Sequence, residues 1–181
     1  MPNLHYASFP LLHTSRLTLR QLSLEDKEEV FALRSNPAVN KYIDREPSKS
    51  IDDVIKFINS VNQGIEQKDL IYWAITLTAS NIFIGGIGLF RFSDDKKKCE
   101  VGYELLPEYQ GKGIMDEAIK PVLNYAFGAT QLQTIEGITH KDNQASIKLL
   151  IKHNFINSNE SAEDNADFII YRLANQLAVR K

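Results

Sequence analysis

The spacing of hydrophobic and polar positions changes most clearly near residue 106. Before it, several apolar stretches are short and alternate with polar residues, as in half-buried strands. From Ile114 to Phe127 apolar residues recur every three to four positions, which predicts an amphipathic helix of nearly four turns. Pro121 should kink this helix locally, and Gly128 stands where a helix-ending glycine is common.

The other elements are predicted from the same spacings and from capping residues. Ser23 and Ser50 precede acidic residues, an arrangement that caps a helix and suits its dipole, and Asn143 is a third cap. Pro37 is predicted to end the first helix. Strands are predicted at 16–22, 71–78, 82–92, 99–106, 134–139 and 168–173, and helices at 23–36, 50–64, 114–128 and 143–153.

This order of elements predicts an α/β (α+β) fold. Its simplest arrangement is one mixed sheet with helices on both faces. A length of 181 residues fits a single domain, 1–181, which can bury roughly 70% of the surface of the unfolded chain. Residues 1–15 carry no periodic pattern and are interpreted as an N-terminal arm.

Composition and charge exclude several classes of protein. The formal net charge of −2 argues against a basic surface that coats nucleic acid. Cys99 is the only cysteine and the four histidines are scattered, so no internal disulfide or metal site is expected. The start of the chain lacks the pattern of a signal peptide, and no apolar run is long enough to span a bilayer. We therefore expect a cytoplasmic protein that contacts neither nucleic acid nor a membrane.

One loop carries a chemical signal. Gly111 and Gly113 lie between a strand that ends at Pro107 and the start of the long helix. Glycines allow close backbone approach, and free N–H groups at a helix start attract an anion. Gln110 and Lys112 can add a hydrogen bond and a charge, so the loop is interpreted as a pyrophosphate cradle. A plain tight turn is the alternative, while the spacing is not that of a P-loop or a dinucleotide motif.

Gln110-Gly-Lys-Gly-Ile-Met115 resembles the acetyl-CoA motif Gln/Arg-x-x-Gly-x-Gly/Ala of the GNAT superfamily of N-acetyltransferases, with Met115 as a departure. The segments 16–20, 101–103 and 143–155 are similar to its ribosomal-protein N-terminal acetyltransferase (RimJ/RimL) subgroup. The resemblance covers roughly 14–174. It implies a GNAT-like mixed, mostly antiparallel twisted sheet, acetyl-CoA as cosubstrate and no metal.

The resemblance also implies which residues hold the cosubstrate. The loop N–H groups would bind the pyrophosphate, and the strand end at Leu105 and Leu106 would pair with the pantetheine arm. Asn143 would lie near this arm, although a plain helix cap is an alternative role. The full expected set is Leu105, Leu106, Gln110, Gly111, Lys112, Gly113, Ile114, Met115, Asn143 and Ser146.

Three residues are candidates for catalysis. Leu150 stands where many family members have a tyrosine that protonates the leaving thiolate, and Ser146 matches a serine of the ribosomal subgroup. Glu100 and Glu104 share one face of a strand. Glu100 could accept the amine proton through water, and Glu104 could orient an ammonium group. Alternatively, both carboxylates face solvent.

The expected reaction is direct transfer of an acetyl group from acetyl-CoA to a primary amine. A base accepts the amine proton, and a backbone N–H of strand 99–106 donates to the oxyanion. The resemblance implies a protein N-terminal α-amine as acceptor, for example on a ribosomal protein. A small amine such as an aminoglycoside or a polyamine is one alternative, and a non-catalytic acetyl-CoA sensor is another. A homodimer is left open.

Overall fold

A computed structural model of the chain describes residues 8–130, 132–162 and 165–175. The helices are α1 (Lys27–Ser35), α2 (Pro37–Asn40), α3 (Ile51–Gln67), α4 (Ile114–Ala129) and α5 (Gln144–Lys152). The strands are β1 (Leu12–His13), β2 (Leu17–Gln21), β3 (Ile71–Leu77), β4 (Phe83–Phe90), β5 (Lys98–Leu105), β6 (Thr134–His140), β7 (Ile156–Ala162) and β8 (Asn165–Ala174). Short 3-10 turns occupy Leu24–Asp26 and Pro107–Tyr109.

Within the described residues, the strands form one eight-stranded sheet in the order β1-β2-β3-β4-β5-β6-β8-β7. Neighbouring strands are antiparallel except β5 and β6, which run parallel. The predicted fold class, a mixed and mostly antiparallel sheet with helices, is therefore confirmed. The parallel pair is connected through α4, as a parallel connection requires a crossover.

The sheet is covered by helices on both faces because its central strands are apolar on both sides. On β3, Trp73 packs with α4 and α5, whereas Ala74 packs with α1 and α3. Each face thus has its own buried cluster. In α4 the buried positions match the apolar stripe read from the sequence: Ile114, Met115, Ala118, Ile119, Val122, Leu123 and Ala126.

Some local predictions were wrong, for physical reasons. Pro37 does not simply stop a helix, because Asn36 caps a new short helix whose first residue is Pro37. Gly128 lies inside α4, which ends at Ala129 and is followed by Thr130 in extended backbone. Strand β7 was missed because its face is largely polar and exposed, as an edge strand allows.

The predicted N-terminal arm is in part a component of the sheet. Its residues 1–7 lie outside the described ranges, but β1 pairs with β2. The carbonyl of Pro10 accepts a hydrogen bond from the Trp73 indole N–H at 2.8 Å. This segment therefore fixes a core side chain.

Candidate active site

The sheet opens where its two parallel strands separate. Pairing between β5 and β6 covers only three residue pairs and ends at Glu100 and Glu136, although both strands continue. Residues 101–105 of β5 remain paired with β4 on their other side. Their second backbone edge is therefore available to a ligand that carries amide groups.

The loop after β5 has the geometry of an anion site. Gly111 and Gly113 have φ angles of +69° and +72°, in the left-handed region that favours glycine. In the part of the chain that the structure describes, a Cβ atom would meet nothing within 4 Å at Gly111, and only the Arg16 guanidinium, at 3.8 Å, at Gly113. Gly113 is the N-cap of α4 and provides no side-chain cap, so the first N–H groups of the helix face open space.

A charged anchor ties this loop to the N-terminal segment. Glu117, in the first turn of α4, accepts hydrogen bonds from Arg16 Nε at 2.6 Å and from Arg16 N at 2.9 Å. Arg16 Nη1 also donates to the Lys112 carbonyl at 3.2 Å. Burial raises the pKa of Glu117, but hydrogen bonds from Thr14, Arg16 and Ser15 outweigh it and lower the pKa to about 2. Sequence analysis missed Arg16 as a site residue because its partners lie about a hundred positions away.

Some predicted cosubstrate residues have other tasks. The Gln110 side-chain amide donates to the Leu105 carbonyl at 2.9 Å, so Gln110 holds the loop against the strand end. Leu106 donates its N–H to the Ile84 carbonyl and packs in the core cluster with α1 and α3, away from the cavity. Lys112 is exposed and lies near the Tyr109 ring.

A cavity of about 890 Å³ joins most of the predicted site residues, Gln110 included. It lies against the opening of the sheet and extends to α1 and the loop after α2. The predicted site residues that line it are Glu100, Glu104, Leu105, Gln110, Gly111, Gly113, Ile114, Met115, Asn143 and Ser146. The structure thus brings both candidate carboxylates and the cosubstrate loop to one cavity.

Beside Ser146 at the start of α5, Tyr103 of β5 contributes a second hydroxyl, which sequence analysis missed. Asn143 Oδ1 accepts from Ser146 N at 3.2 Å, so Asn143 caps the helix as predicted while also lining the cavity. The Ser146 hydroxyl is hydrogen-bonded to the Tyr103 hydroxyl at 2.8 Å. Burial raises the pKa of Tyr103 to about 12, although the hydrogen bond to Ser146 opposes this, so the phenol stays protonated.

The two candidate carboxylates differ in their surroundings. Glu100 is half-buried and accepts from Arg91 at 3.1 Å, and burial raises its pKa although Arg91 opposes the shift. Glu104 accepts two hydrogen bonds from Arg45, at 2.6 and 3.1 Å, with Arg34 at 3.8 Å. Neither carboxylate faces bulk solvent, since their side chains are 15% and 9% exposed. Glu104 is held in a buried ion pair with Arg45. Glu100 is therefore the carboxylate that is more available to accept a proton.

Comparison with known proteins agrees with this geometry. Residues 16–156 match the model of the acetyltransferase (GNAT) domain. The chain belongs to the GNAT acetyltransferase family. It is 36% identical over 147 residues to the uncharacterized N-acetyltransferase YoaA of Bacillus subtilis, which covers 81% of this chain and 83% of that protein. It is also 30% identical over 139 residues to the uncharacterized N-acetyltransferase p20 of Bacillus licheniformis, in an alignment that covers 77% of this chain and 78% of that protein.

The fold is also that of a solved acetyltransferase. The structure of RimL, a ribosomal L7/L12 alpha-N-protein acetyltransferase in complex with coenzyme A, superposes with a TM-score of 0.80 at 16% identity, covering 91% of this chain and 98% of that one. At this identity the likeness establishes the fold alone. Membership of the family makes this chain an acetyl-CoA-dependent N-acetyltransferase.

Three further observations describe this GNAT protein. Leu150 is buried against Gly137 of β6, and its aliphatic side chain offers no proton donor. Across residues 8–130, 132–162 and 165–175, no helix has the length and apolar character to cross a membrane. Within the same ranges no cluster of three His, Cys, Asp or Glu side chains could hold a metal ion.

Proposed function

We propose that this acetyltransferase moves the acetyl group of acetyl-CoA directly onto the α-amine of a protein N-terminus, as in the RimJ/RimL subgroup. The observation that carries the proposal is the cavity at the sheet opening, which joins the glycine loop, Glu100 and the Tyr103–Ser146 pair. The residues fit acetyl-CoA, because the space above Gly111 and Gly113 is open and one edge of β5 is free for the two amides of pantetheine.

Glu100 is the proposed base. An amine is mostly protonated near pH 7 and must lose a proton before it attacks the thioester carbon. The carboxylate of Glu100 lines the cavity, and its raised pKa brings it closer to the range in which a base works well. A water between Glu100 and the amine would carry the proton.

The oxyanion and the leaving sulfur need donors of their own. A backbone N–H on the free edge of β5 serves the oxyanion that forms as the C–N bond is made. Ser146 donates to the departing sulfur as the C–S bond breaks, and Tyr103 supports it through their hydrogen bond. This pair replaces the missing tyrosine at Leu150.

Direct transfer, without an acetylated enzyme, is supported by the state of Cys99. The thiol is buried, and burial raises its pKa to about 12. A thiol in that state is a poor nucleophile, because the reactive form is the thiolate.

The test is an acetylation assay that follows thiol release from acetyl-CoA. The acceptors are peptides with free N-termini, the same peptides with blocked N-termini, spermidine and an aminoglycoside. We expect release only with free N-termini, and mass spectrometry should place the acetyl group on the α-amine. Faster turnover of spermidine or of the aminoglycoside would overturn the acceptor class. Tight binding of acetyl-CoA with no turnover of any amine would indicate a sensor.

A further inference from the structure

The acceptor side of the cavity carries an unbalanced positive charge. Arg34 of α1 and Arg45, which follows α2, converge on the single carboxylate of Glu104. All three side chains are largely buried, with exposed fractions of 15%, 17% and 9%. Two guanidinium groups share one carboxylate, so the cluster holds one excess positive charge away from bulk water. Such a charge is costly to bury unless an anion accompanies it.

Arg34 is the incompletely satisfied member of the cluster. Arg45 donates two hydrogen bonds to Glu104 and a third to Asn40 Oδ1 at 2.8 Å. Arg34 lies 3.8 Å from Glu104, beyond hydrogen-bond distance, and its guanidinium stacks at 3.7 Å on the Phe57 ring. Among the described side chains, Arg34 Nε is the buried polar atom without a hydrogen-bond partner. Burial, followed by the charge of Arg45, lowers the pKa of Arg34, while Glu104 opposes this shift.

A third donor lies beside the arginines. The Tyr72 hydroxyl occupies the space above Gly86, where a Cβ atom would come within 1.8 Å of it. Gly86 pairs directly with Glu104 across β4 and β5. Burial, and then the charge of Glu104, raises the pKa of Tyr72, so its hydroxyl stays protonated and can donate.

The other carboxylates of the cavity do not balance this charge. Glu100 is bonded to Arg91, and Asp116 to Lys152 and His153. Asp44 is exposed to solvent. The uncompensated charge therefore sits at Arg34 and Arg45, in the same cavity as the cosubstrate loop.

We infer that the acceptor of this enzyme is an amine that also carries a carboxylate close to its amino group, bound by Arg34 and Arg45. The inference rests on the proposed acetyl transfer and narrows its acceptor. A peptide with an acidic residue next to its N-terminus has this chemistry, and so does a small amino acid. A polyamine would place like charges beside the arginines.

The experiment compares acceptors that differ only in charge. One series is Ala-Glu-Ala-Ala amide with its Gln and Lys counterparts, all C-terminally amidated, and the small pair is β-alanine and β-alaninamide. Because a hydrogen bond to a charged group outweighs a neutral one, we expect a kcat/KM about tenfold higher for the Glu peptide than for the Gln peptide. The Lys peptide should be poorer still. If β-alanine is preferred over β-alaninamide while the charge of the peptides makes no difference, the recognised carboxylate belongs to a free amino acid.

Variants link the preference to the cluster. In Arg34→Gln the Glu-over-Gln preference should fall to about threefold or less. The matched control is Lys56→Gln, which removes one positive charge from an exposed site on α3 outside the cavity and should keep the preference. Circular dichroism checks that each variant is folded, and the wild-type comparison tests the inference even if Arg34→Gln does not fold.

A binding measurement separates this inference from the proposed activity. Calorimetry of the N-acetylated Glu and Gln peptides in the presence of coenzyme A requires no turnover. Tighter binding of the Glu product that depends on Arg34 supports the charge selection even if no amine is acetylated. The inference is overturned if the wild type uses the Glu and Gln peptides equally, uses β-alanine and β-alaninamide equally and binds the Glu and Gln products equally. A preference that survives in folded Arg34→Gln would also overturn it.

Discussion

Replacing Gly113 with valine tests the cosubstrate loop most directly. The residue has a φ of +72°, and a β-branched side chain disfavours this left-handed conformation. The substitution also places two methyl groups over the N–H groups that begin α4. Among the described residues other than its two chain neighbours, only the Arg16 guanidinium, at 3.8 Å, lies within 4 Å of the new Cβ. The perturbation is therefore confined to local backbone strain and to the space that a ligand would occupy.

The two effects have different sizes. A non-glycine residue in the left-handed region costs about 1–2 kcal/mol, which a domain with a stability of about 5–15 kcal/mol tolerates. For a chain of this length the melting temperature should fall by roughly 2–8 °C. Loss of one N–H hydrogen bond to a phosphate oxygen costs about 1.5–3 kcal/mol, which weakens coenzyme A binding about 10- to 150-fold.

Calorimetric titration with coenzyme A and a thermal melt measure the two effects separately. Gly128→Val is the matched control, because Gly128 lies inside α4 and a Cβ atom added there would meet no atom within 4 Å. Its stability should change little, since valine and glycine have similar helix propensities, and its affinity should equal that of the wild type. Unchanged affinity in a folded Gly113→Val protein would refute the assignment of the loop as the pyrophosphate site.

Four further substitutions test the chemistry and the anchor. Ser146→Ala should lower kcat more than it raises the KM for acetyl-CoA, and steady-state kinetics with an unchanged kcat would reduce Ser146 to a helix-start residue. Glu100→Gln should lower kcat by about 10²–10⁴ and remove the acid limb of kcat/KM, which in the wild type lies above the ordinary glutamate range because the pKa is raised. Glu104→Gln should mainly destabilise the protein, by about 3 kcal/mol, because it leaves Arg45 buried without its partner. If Glu100→Gln and Glu104→Gln both keep the wild-type kcat and the acid limb of kcat/KM, another group is the base. The lowered pKa of Glu117 contributes stability that is complete above its unfolded value near 4.5 and is lost as the pH falls toward about 2. Glu117→Gln should flatten acid denaturation across that window, and acid melts that match the wild type would count against the anchor.

Local patterns predicted those parts of the fold that depend on neighbouring residues. The stripe from Ile114 onward predicted α4 because a helix buries every third or fourth residue. Ser50 predicted the start of α3, where it caps Asp53 N–H. Strand β7 escaped because its pairing with β8, not its composition, makes it a strand.

The site was predictable only in its contiguous part. The glycine loop can be recognised from the sequence because its motif residues all lie within six consecutive positions, 110–115. Arg34 and Glu104 are separated by 70 positions, and Tyr103 and Ser146 by 43, so only the folded sheet brings them together. The sequence showed that Glu100 and Glu104 share a face, but not that Arg91 pairs with the first and Arg45 with the second.

The short contact between β5 and β6 gives the cosubstrate a structural role. Three residue pairs between β5 and β6 join the β1–β5 part of the sheet to the part formed by β6, β8 and β7. A pantetheine arm paired with the free edge of β5 would strengthen the sheet at this point, but only while the cosubstrate is bound. Because a ligand that binds only the folded state raises stability with its concentration, the resistance of this protein to proteolysis should rise and fall with the supply of acetyl-CoA. The amount of this enzyme in a cell would then depend on the concentration of its cosubstrate, acetyl-CoA.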